Sequence, residues 1–506
     1  MTMAAQAVSP VDFYAQARVE FEALLKHVSE SPTTSHVTLG KTITDGIRRV
    51  GGKAYQARLD ELFERERAEV PNWTRPEGCE VRARSRGLET ELGRMTVRRH
   101  GVKLAGEAAA HFPMDEALEL PAELYALTLR EQVALDAMDV SFARAVARVD
   151  RTTSGHVPKR QAEELVVRAS ADFDTFYKER TPPANDTLSP NGLEVMSVDC
   201  KGVTMRPEAL REATRKEAEA AKADTVRGDP MAARKLRRAD KRMAVVTAVW
   251  EQEPHKRKAE DVVERLGRDR KGRARTRRSD KAPRPQNKRV AASVDKSHAQ
   301  GVAAMFDEAQ RRNPDGARRN IVLVDGDEHQ IDAVEAEAKR RGMRITIVLD
   351  LIHAIHYLWL IAMLLCAADT KAAEACTAHI LLQLLTKHPL DVIATIRQTA
   401  TNRRLTGADR KALDKAVDYL RKNSTRIHYA RFLREGLPIA TGVIEGACRH
   451  LIQDRLGITG ARWGLEVAEA VLKLRAIQSS GDWDEYWEFH LKREHDRNYP
   501  AAKNAA

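Results

Sequence analysis

At 506 residues the chain is long enough for about three domains and a sizeable core, which excludes a small disulfide-stapled scaffold. Hydrophobic residues make up 42%, charged residues 31% and aromatics only 5%, a globular composition that argues against a stacking-rich single-strand binder. Lys and Arg outnumber Asp and Glu by 85 to 73, a formal charge of +12 that favours a polyanionic partner.

From Met1 to about Val70 the pattern is helical, with polar breaks at Ser29 to Ser35 and at Gly51-Gly52. The alternation from Thr90 to Arg99 around Gly93 predicts a hairpin, completing an N-terminal module over 1–120. A long helix is predicted from Pro121 to Asp150, then a Thr-Thr-Ser-Gly turn. The next helix carries Ala162, Leu165, Val166 and Ala169 at helical spacing, so 121–190 reads as helix-turn-helix-like. Lys159 and Arg160 open that second helix and would meet DNA if its N-terminus entered a major groove. An ordinary amphipathic helix with a solvated polar face accounts for the same pattern.

Over 191–351 strands begin to alternate with helices. Strands are predicted at Val195–Asp199, whose continuation from Cys200 to Met205 is a tight hairpin or an extension of the strand, and at Met243–Trp250, Arg289–Val294, Ile321–Asp325 and Arg344–Asp350, with helices after the third and fourth. The region 352–440 reads as almost wholly helical, ending in a turn around Gly436 to Pro438. In 441–506 come a helix from Gly442 to Arg455 and a last one carrying Val467, Ala470, Val471 and Leu474. The fold class is therefore α/β, mixed and largely helical. Ile345 to Ala368 is apolar enough to mimic a membrane span, but Asp350, His353 and His356 interrupt it. A carboxylate at a bilayer centre costs about 3 kcal/mol, so a buried strand running into a buried helix is expected, with no membrane partner.

The loop 253–289 concentrates charge. Between Arg268 and Arg289 eleven Lys or Arg face two Asp, Arg273, Arg275, Arg277 and Arg278 among them. Such a segment binds phosphates by counterion release; six contacts would give a log–log salt slope of roughly −5. A solvated linker with no partner is the alternative reading. The cysteines, Cys79, Cys200, Cys366, Cys376 and Cys448, are odd in number and form no close pair, so a reducing cytosol is expected, with no disulfide and no zinc site. The first residues lack the basic and apolar stretches of a signal peptide.

Three acids occupy positions where an acid is unexpected: Asp199 and Asp325 each end an apolar strand, and Glu445 sits in an apolar helix start. Adjacent strands lie about 4.8 Å apart, so the two aspartates could grip one ion if their strands are neighbours. Two like charges about 4 Å apart repel by roughly 4 kcal/mol at an effective dielectric of 20, a repulsion that a divalent cation relieves. Oxygen-only ligands favour Mg²⁺ or Mn²⁺ over zinc, and two such ions could drive in-line displacement at phosphorus. Strand-terminal aspartates also serve as helix N-caps, which leaves a purely structural role open.

The runs Val-Asp-Cys-Lys-Gly-Val at 198–203, Val-Leu-Val-Asp-Gly-Asp at 322–327 and Asp-Leu-Ile-His-Ala-Ile-His-Tyr-Leu at 350–358 point further, as do the helix from Gly442 to Arg455, Gly-Ala-Arg-Trp-Gly at 460–464 and Ser-Gly-Asp-Trp-Asp-Glu-Tyr-Trp at 480–487. Together they resemble bacterial insertion-sequence transposases of the ISKra type, over roughly residues 80–490, most specifically at the C-terminal run. The resemblance implies a DDE enzyme with an RNase H-like core. Its acids fall on Asp199, Asp325 and Glu445, which would be both catalytic residues and metal ligands. The region 352–440 would be the all-helical insertion that precedes the glutamate helix, and Asp350 with His353 would match an Asp-x-x-His motif. Asp350 is thereby the rival of Asp325 for the second ligand, and His353 is either a catalytic neighbour or a core histidine.

Four residues after Glu445, Arg449 would pair with it or touch phosphate. Arg462 and Trp463 would place a cation and a ring beside distorted DNA, unless Trp463 is a buried cap. Relatives in that family often carry paired cysteines flanking 79–110, a zinc knuckle; only Cys79 stands there here, so no zinc is expected.

What the resemblance implies is a transposase that binds terminal inverted repeats, cleaves the element ends and joins the freed 3′-hydroxyl to target DNA. Its partners would be double-stranded DNA and further copies of itself, as a dimer or larger assembly, in the bacterial cytoplasm at the nucleoid. A metal-dependent nuclease or resolvase, or a non-catalytic DNA-binding derivative, are the rival readings.

Overall fold

In a computed structural model, the chain is described over residues 12–32, 35–73, 78–103, 106, 110–183, 185, 187–226, 240–268, 282–366, 370–440, 442–458 and 460–500. It divides into two units, Met1–Phe176 with Asp484–Ala506, and Tyr177–Trp483. The stretch 441–506 is thus shared between them.

In the first unit, helices Ala15–Glu30 and His36–Glu69 lead into an antiparallel hairpin, β1 (Glu80–Thr90) and β2 (Gly93–Lys103). Gly51-Gly52 does not break the second helix. A Cβ on Gly52 would come within 2.9 Å of the Leu92 carbonyl oxygen, so the pair lets the hairpin turn approach the helix. Leu59, Leu88, Met95, Val97, Met114 and Leu120 pack between them.

The single helix expected over 121–150 is two, Leu127–Asp139 and Phe142–Thr152, because Ser141 turns extended and its hydroxyl accepts from the Arg144 amide at 3.4 Å. The helix Lys159–Ala169 then buries Ala162, Leu165, Val166 and Ala169, the face read from the sequence. A further helix absent from the sequence reading, Trp483–Asn498, brings Glu494 to buried Arg130 and His490 to Asp172 at 2.7 Å within this unit.

The second unit is built on a mixed five-stranded sheet in the order β5 (Gln286–Ser293), β4 (Lys241–Gln252), β3 (Leu193–Thr204), β6 (Arg319–Val324), β7 (Ile345–Leu349). Only β4 runs against the rest: β3 pairs antiparallel with it and parallel with β6, and β6 pairs parallel with β7. Side chains alternate across a strand. Met196, Val198, Val245, Val249, Val322 and Val324 therefore face one side, where they form a core with Val302 and Phe306 of helix His298–Arg312 and Ile331 and Val334 of helix Glu328–Arg341.

Among the described residues five α-helices lie between β7 and Gly442: Leu351–Cys366, Thr370–Thr386, Pro389–Asn402, Gly407–Lys422 and Tyr429–Glu435. Strand β7 does run into a helix through Asp350, and no described helix is long and apolar enough to cross a membrane. Cys366 and Cys376, whose Cα atoms lie 6.4 Å apart on the first two of these helices, are joined in a disulfide. That corrects the expectation of none, because helix pairing brings together two residues whose spacing along the chain carried no signal.

Candidate functional site

Alternation that sends Met196 and Val198 into the core sends Val195, Ser197 and Asp199 to the other face of the sheet. The parallel register pairs Ser197 with Leu323, and two residues further on Asp325 is level with Asp199. Val324 pairs with Leu349, so Asp350 is level with Asp325 on the far side. Three neighbouring strands thus bring three aspartates to one sheet face at the same height, about 4.8 Å apart strand to strand. Asp199 does not end its strand; it sits inside β3, opposite Val246, and the strand runs on to Thr204.

Each aspartate has a distinct set of partners. Oδ1 of Asp199 accepts from the Cys200 amide at 2.6 Å and Oδ2 from the Cys448 thiol at 3.2 Å. Asp325 accepts from the Asp327 amide at 2.9 Å through Oδ1. Asp350 is buried, and its Oδ1 accepts from the Ile352 amide at 2.7 Å, capping the helix that begins at Leu351.

The charge of Asp199 is felt at Asp325. Burial raises the Asp325 carboxyl above the ordinary carboxylate range and the charge of Asp199 raises it further, while the Asp327 amide and exposed His353 pull it back. Burial, followed by Asp199 and Asp325, pushes the Cys200 thiol up to about 11. Asp325 therefore feels the charge of Asp199, and Asp350 adds to burial in raising the neighbouring Tyr419 and Tyr429 hydroxyls.

Glu445 lies on the helix Gly442–Ala447, which packs against β3 and β4. One turn later Cys448 touches Asp199, fixing that helix on Asp199's strand. The expected continuous helix to Arg455 changes pitch: Cys448–Gln453 is a π-helical turn, a feature frequent at functional sites, and Arg475 donates to the His450 carbonyl within it at 2.8 Å. Glu445 itself is exposed. Among the described residues no three His, Cys, Asp or Glu side chains are gathered so as to hold an ion, so Glu445 does not complete a cage with the aspartates in this conformation.

The donors fit a hard divalent cation all the same: two carboxylates on adjacent strands, oxygen-only, repelling one another across a half-buried face. Magnesium and manganese suit such a set, whereas Cys200 and Cys448, both held far toward the neutral thiol, do not offer the thiolates that zinc takes.

The basic side chains are dispersed. Lys159 and Arg160 are exposed at the start of their helix, facing Glu163 and Glu164 at 4.0 and 3.4 Å. Arg273, Arg275, Arg277 and Arg278 lie outside the described residues. Arg449 is exposed and pairs with Asp454 at 3.5 Å, not with Glu445. Arg462 is exposed, but Trp463 is not a surface ring. It is 6% accessible, its indole donates to the Leu456 carbonyl at 3.2 Å, and its backbone bridges to Met205 beyond the end of β3. It braces the core and has no open face for a base.

Three residues near the acids carried no sequence signal: Cys448, His298, which faces Asp325 and Asp327, and Tyr419, whose hydroxyl reaches the Asp325 backbone. No family model matches the chain, and no curated protein matches it.

Proposed function

We propose that this chain is a DNA transposase of the DDE type with an RNase H-like core, in which Asp199 and Asp325 hold the metal site and Glu445 completes it. The observation that carries the reading is the register that sets Asp199 and Asp325 level on one face of adjacent parallel strands, with the helix of Glu445 fastened to Asp199's strand through Cys448. The sheet supports it: taken in chain order its strands lie 3-2-1-4-5 with only the second reversed, the arrangement of RNase H-like cores. The resemblance of the runs around these acids to ISKra-type transposases supports it further.

Bound between the acids, Mg²⁺ or Mn²⁺ would activate the attacking oxygen and stabilise the leaving oxygen of an in-line displacement at phosphorus. Asp199 is presented from within β3 and Asp325 from the turn just past the end of β6, which sets them level on adjacent strands before DNA arrives. Glu445 is exposed, so its carboxylate reorients by rotamer change without breaking core packing. Lys159, Arg160, Arg462 and the basic loop would supply phosphate contacts that position the duplex without reading its sequence. Joining two element ends calls for a dimer or larger assembly.

The test is strand transfer with pre-cut duplexes ending in the inverted repeats that flank the coding region. The proposal expects Mg²⁺-dependent joined products that vanish in Asp199→Asn. Hydrolysis without joining would make the protein a nuclease or resolvase, and DNA binding without either a non-catalytic derivative.

A further inference from the structure

The helical stretch after β7 does more than follow the sheet; it grips the ends of the two strands that lead into Asp325 and Asp350. The Tyr419 hydroxyl donates to the backbone carbonyl of Asp325 at 2.6 Å, and the Tyr429 hydroxyl donates to that of Leu349 at 2.9 Å. The Tyr419 ring is stacked on Tyr357, centroids 3.7 Å apart and planes 16° off parallel, which leaves the hydroxyl little room to wander. Next in the chain, Gly326 has φ +93°, and a Cβ there would lie 2.3 Å from the Tyr419 oxygen, so the turn is shaped around that hydroxyl. The same helical segment is also pinned to the helix that follows the turn: Lys422 pairs with Glu328 at 2.7 Å and Arg426 with Glu335 at 2.8 Å.

We propose that Tyr419 is a positioning residue for the metal site: by holding the Asp325 carbonyl it fixes the direction in which the Asp325 carboxylate leaves the strand, so that metal affinity depends on the helical insertion. The inference rests on the reading of Asp199 and Asp325 as metal ligands. Asp325 stands just past the last ladder pair of β6, where the sheet no longer fixes its backbone. Its outward-facing amide-turn geometry is supplied by the Asp327 amide on the side-chain oxygen and Tyr419 on the main-chain oxygen. Loss of the second contact lets the peptide rotate, and a shift of even about an ångström at a ligand is enough to weaken an ion that demands near-ideal geometry.

The experiment is Mn²⁺ binding to the full chain by calorimetry and electron paramagnetic resonance, with thermal melting alongside, for wild type, Tyr419→Phe, Tyr429→Phe and Asp199→Asn. Tyr419→Phe keeps the stacked ring and removes only the donor. Its dissociation constant for Mn²⁺ should rise about tenfold, equivalent to about 1.4 kcal/mol, with a melting temperature within about 2 °C of wild type. Tyr429→Phe, fully buried and touching the strand that leads to Asp350, should lower the melting temperature more while leaving Mn²⁺ affinity within about twofold. Tyr357→Leu, which removes the stack, should weaken Mn²⁺ in the same direction as Tyr419→Phe. Unchanged affinity in Tyr419→Phe, or losses in both tyrosine variants that simply track their melting temperatures, would overturn the proposal while leaving the metal site standing. Wild type that binds no Mn²⁺ sensitive to Asp199→Asn would remove the metal site itself, and this inference with it.

Discussion

Cys448 donates its thiol hydrogen to Oδ2 of Asp199 across 3.2 Å, joining positions 249 apart in the chain. Burial raises this thiol far above its ordinary value and Asp199 raises it further, so it stays a donor at every physiological pH. The bond occupies an oxygen that a cation would also claim. Cys448→Ala should therefore lower the melting temperature by about 2–4 °C, from the lost contact and the small cavity left. It should also tighten Mn²⁺ binding by about threefold, because Oδ2 is no longer shared, whereas Cys448→Ser, which keeps a donor, should leave binding near wild type. Calorimetry and melting curves read both quantities, and weaker Mn²⁺ binding in the alanine variant would show that the thiol supports the site instead of competing for it.

Asp325 carries a stability cost in the metal-free protein. Its folded carboxyl is raised by burial and by Asp199, so its contribution to stability is fully present below the ordinary carboxylate pKa and is lost as pH rises through its higher folded value. At neutral pH, without divalent ions, Asp325→Asn should melt about 2 °C above wild type. Below the ordinary carboxylate range the difference should narrow, since the raised Asp325 carboxyl is then protonated and uncharged in the folded protein. Millimolar Mg²⁺ should reverse the order at neutral pH by stabilising wild type alone. Melting curves across pH, with and without Mg²⁺, decide it.

The sheet and its acids were legible because their signals are local. Apolar runs ending in Asp199, Asp325 and Asp350 mark buried strands, and alternation assigns each acid to a face. Long-range packing was not legible. Gly51-Gly52 reads as a helix break until Leu92 is seen to press against it. The pitch change at Cys448 and the grip of Tyr419 on Asp325 depend on residues remote in sequence, so neither leaves a periodic trace. Trp463 left two readings open in the sequence, a ring beside DNA or a buried cap, and its 6% accessibility with the indole donating to the Leu456 carbonyl is the second.

Asp350 separates a cap from a ligand. Its Oδ1 accepts the Ile352 amide, and asparagine is as good an N-cap acceptor as aspartate. Asp350→Asn should leave the melting temperature within about 2 °C of wild type and preserve the Mg²⁺-induced rise. Asp325→Asn and Asp199→Asn should abolish that rise. Melting curves at increasing Mg²⁺ measure it; a response lost in Asp350→Asn and retained in Asp325→Asn would transfer the second ligand to Asp350.

Gly326 tests the turn that Tyr419 shapes. At φ +93° an L side chain is strained, and its Cβ would lie 2.3 Å from the Tyr419 oxygen, 2.9 Å from the ring carbon bearing it and 2.9 Å from a Leu349 methyl. Gly326→Ala should therefore destabilise by about 2 kcal/mol or more, the sum of backbone strain and a forced shift of neighbours. Removing the hydroxyl relieves the closest of those contacts. In chemical denaturation the double variant Gly326→Ala with Tyr419→Phe should be more stable than the two single losses added together, by at least about 0.5 kcal/mol. Strict additivity would mean that the strain at Gly326 is purely a backbone matter and that Tyr419 does not set the turn.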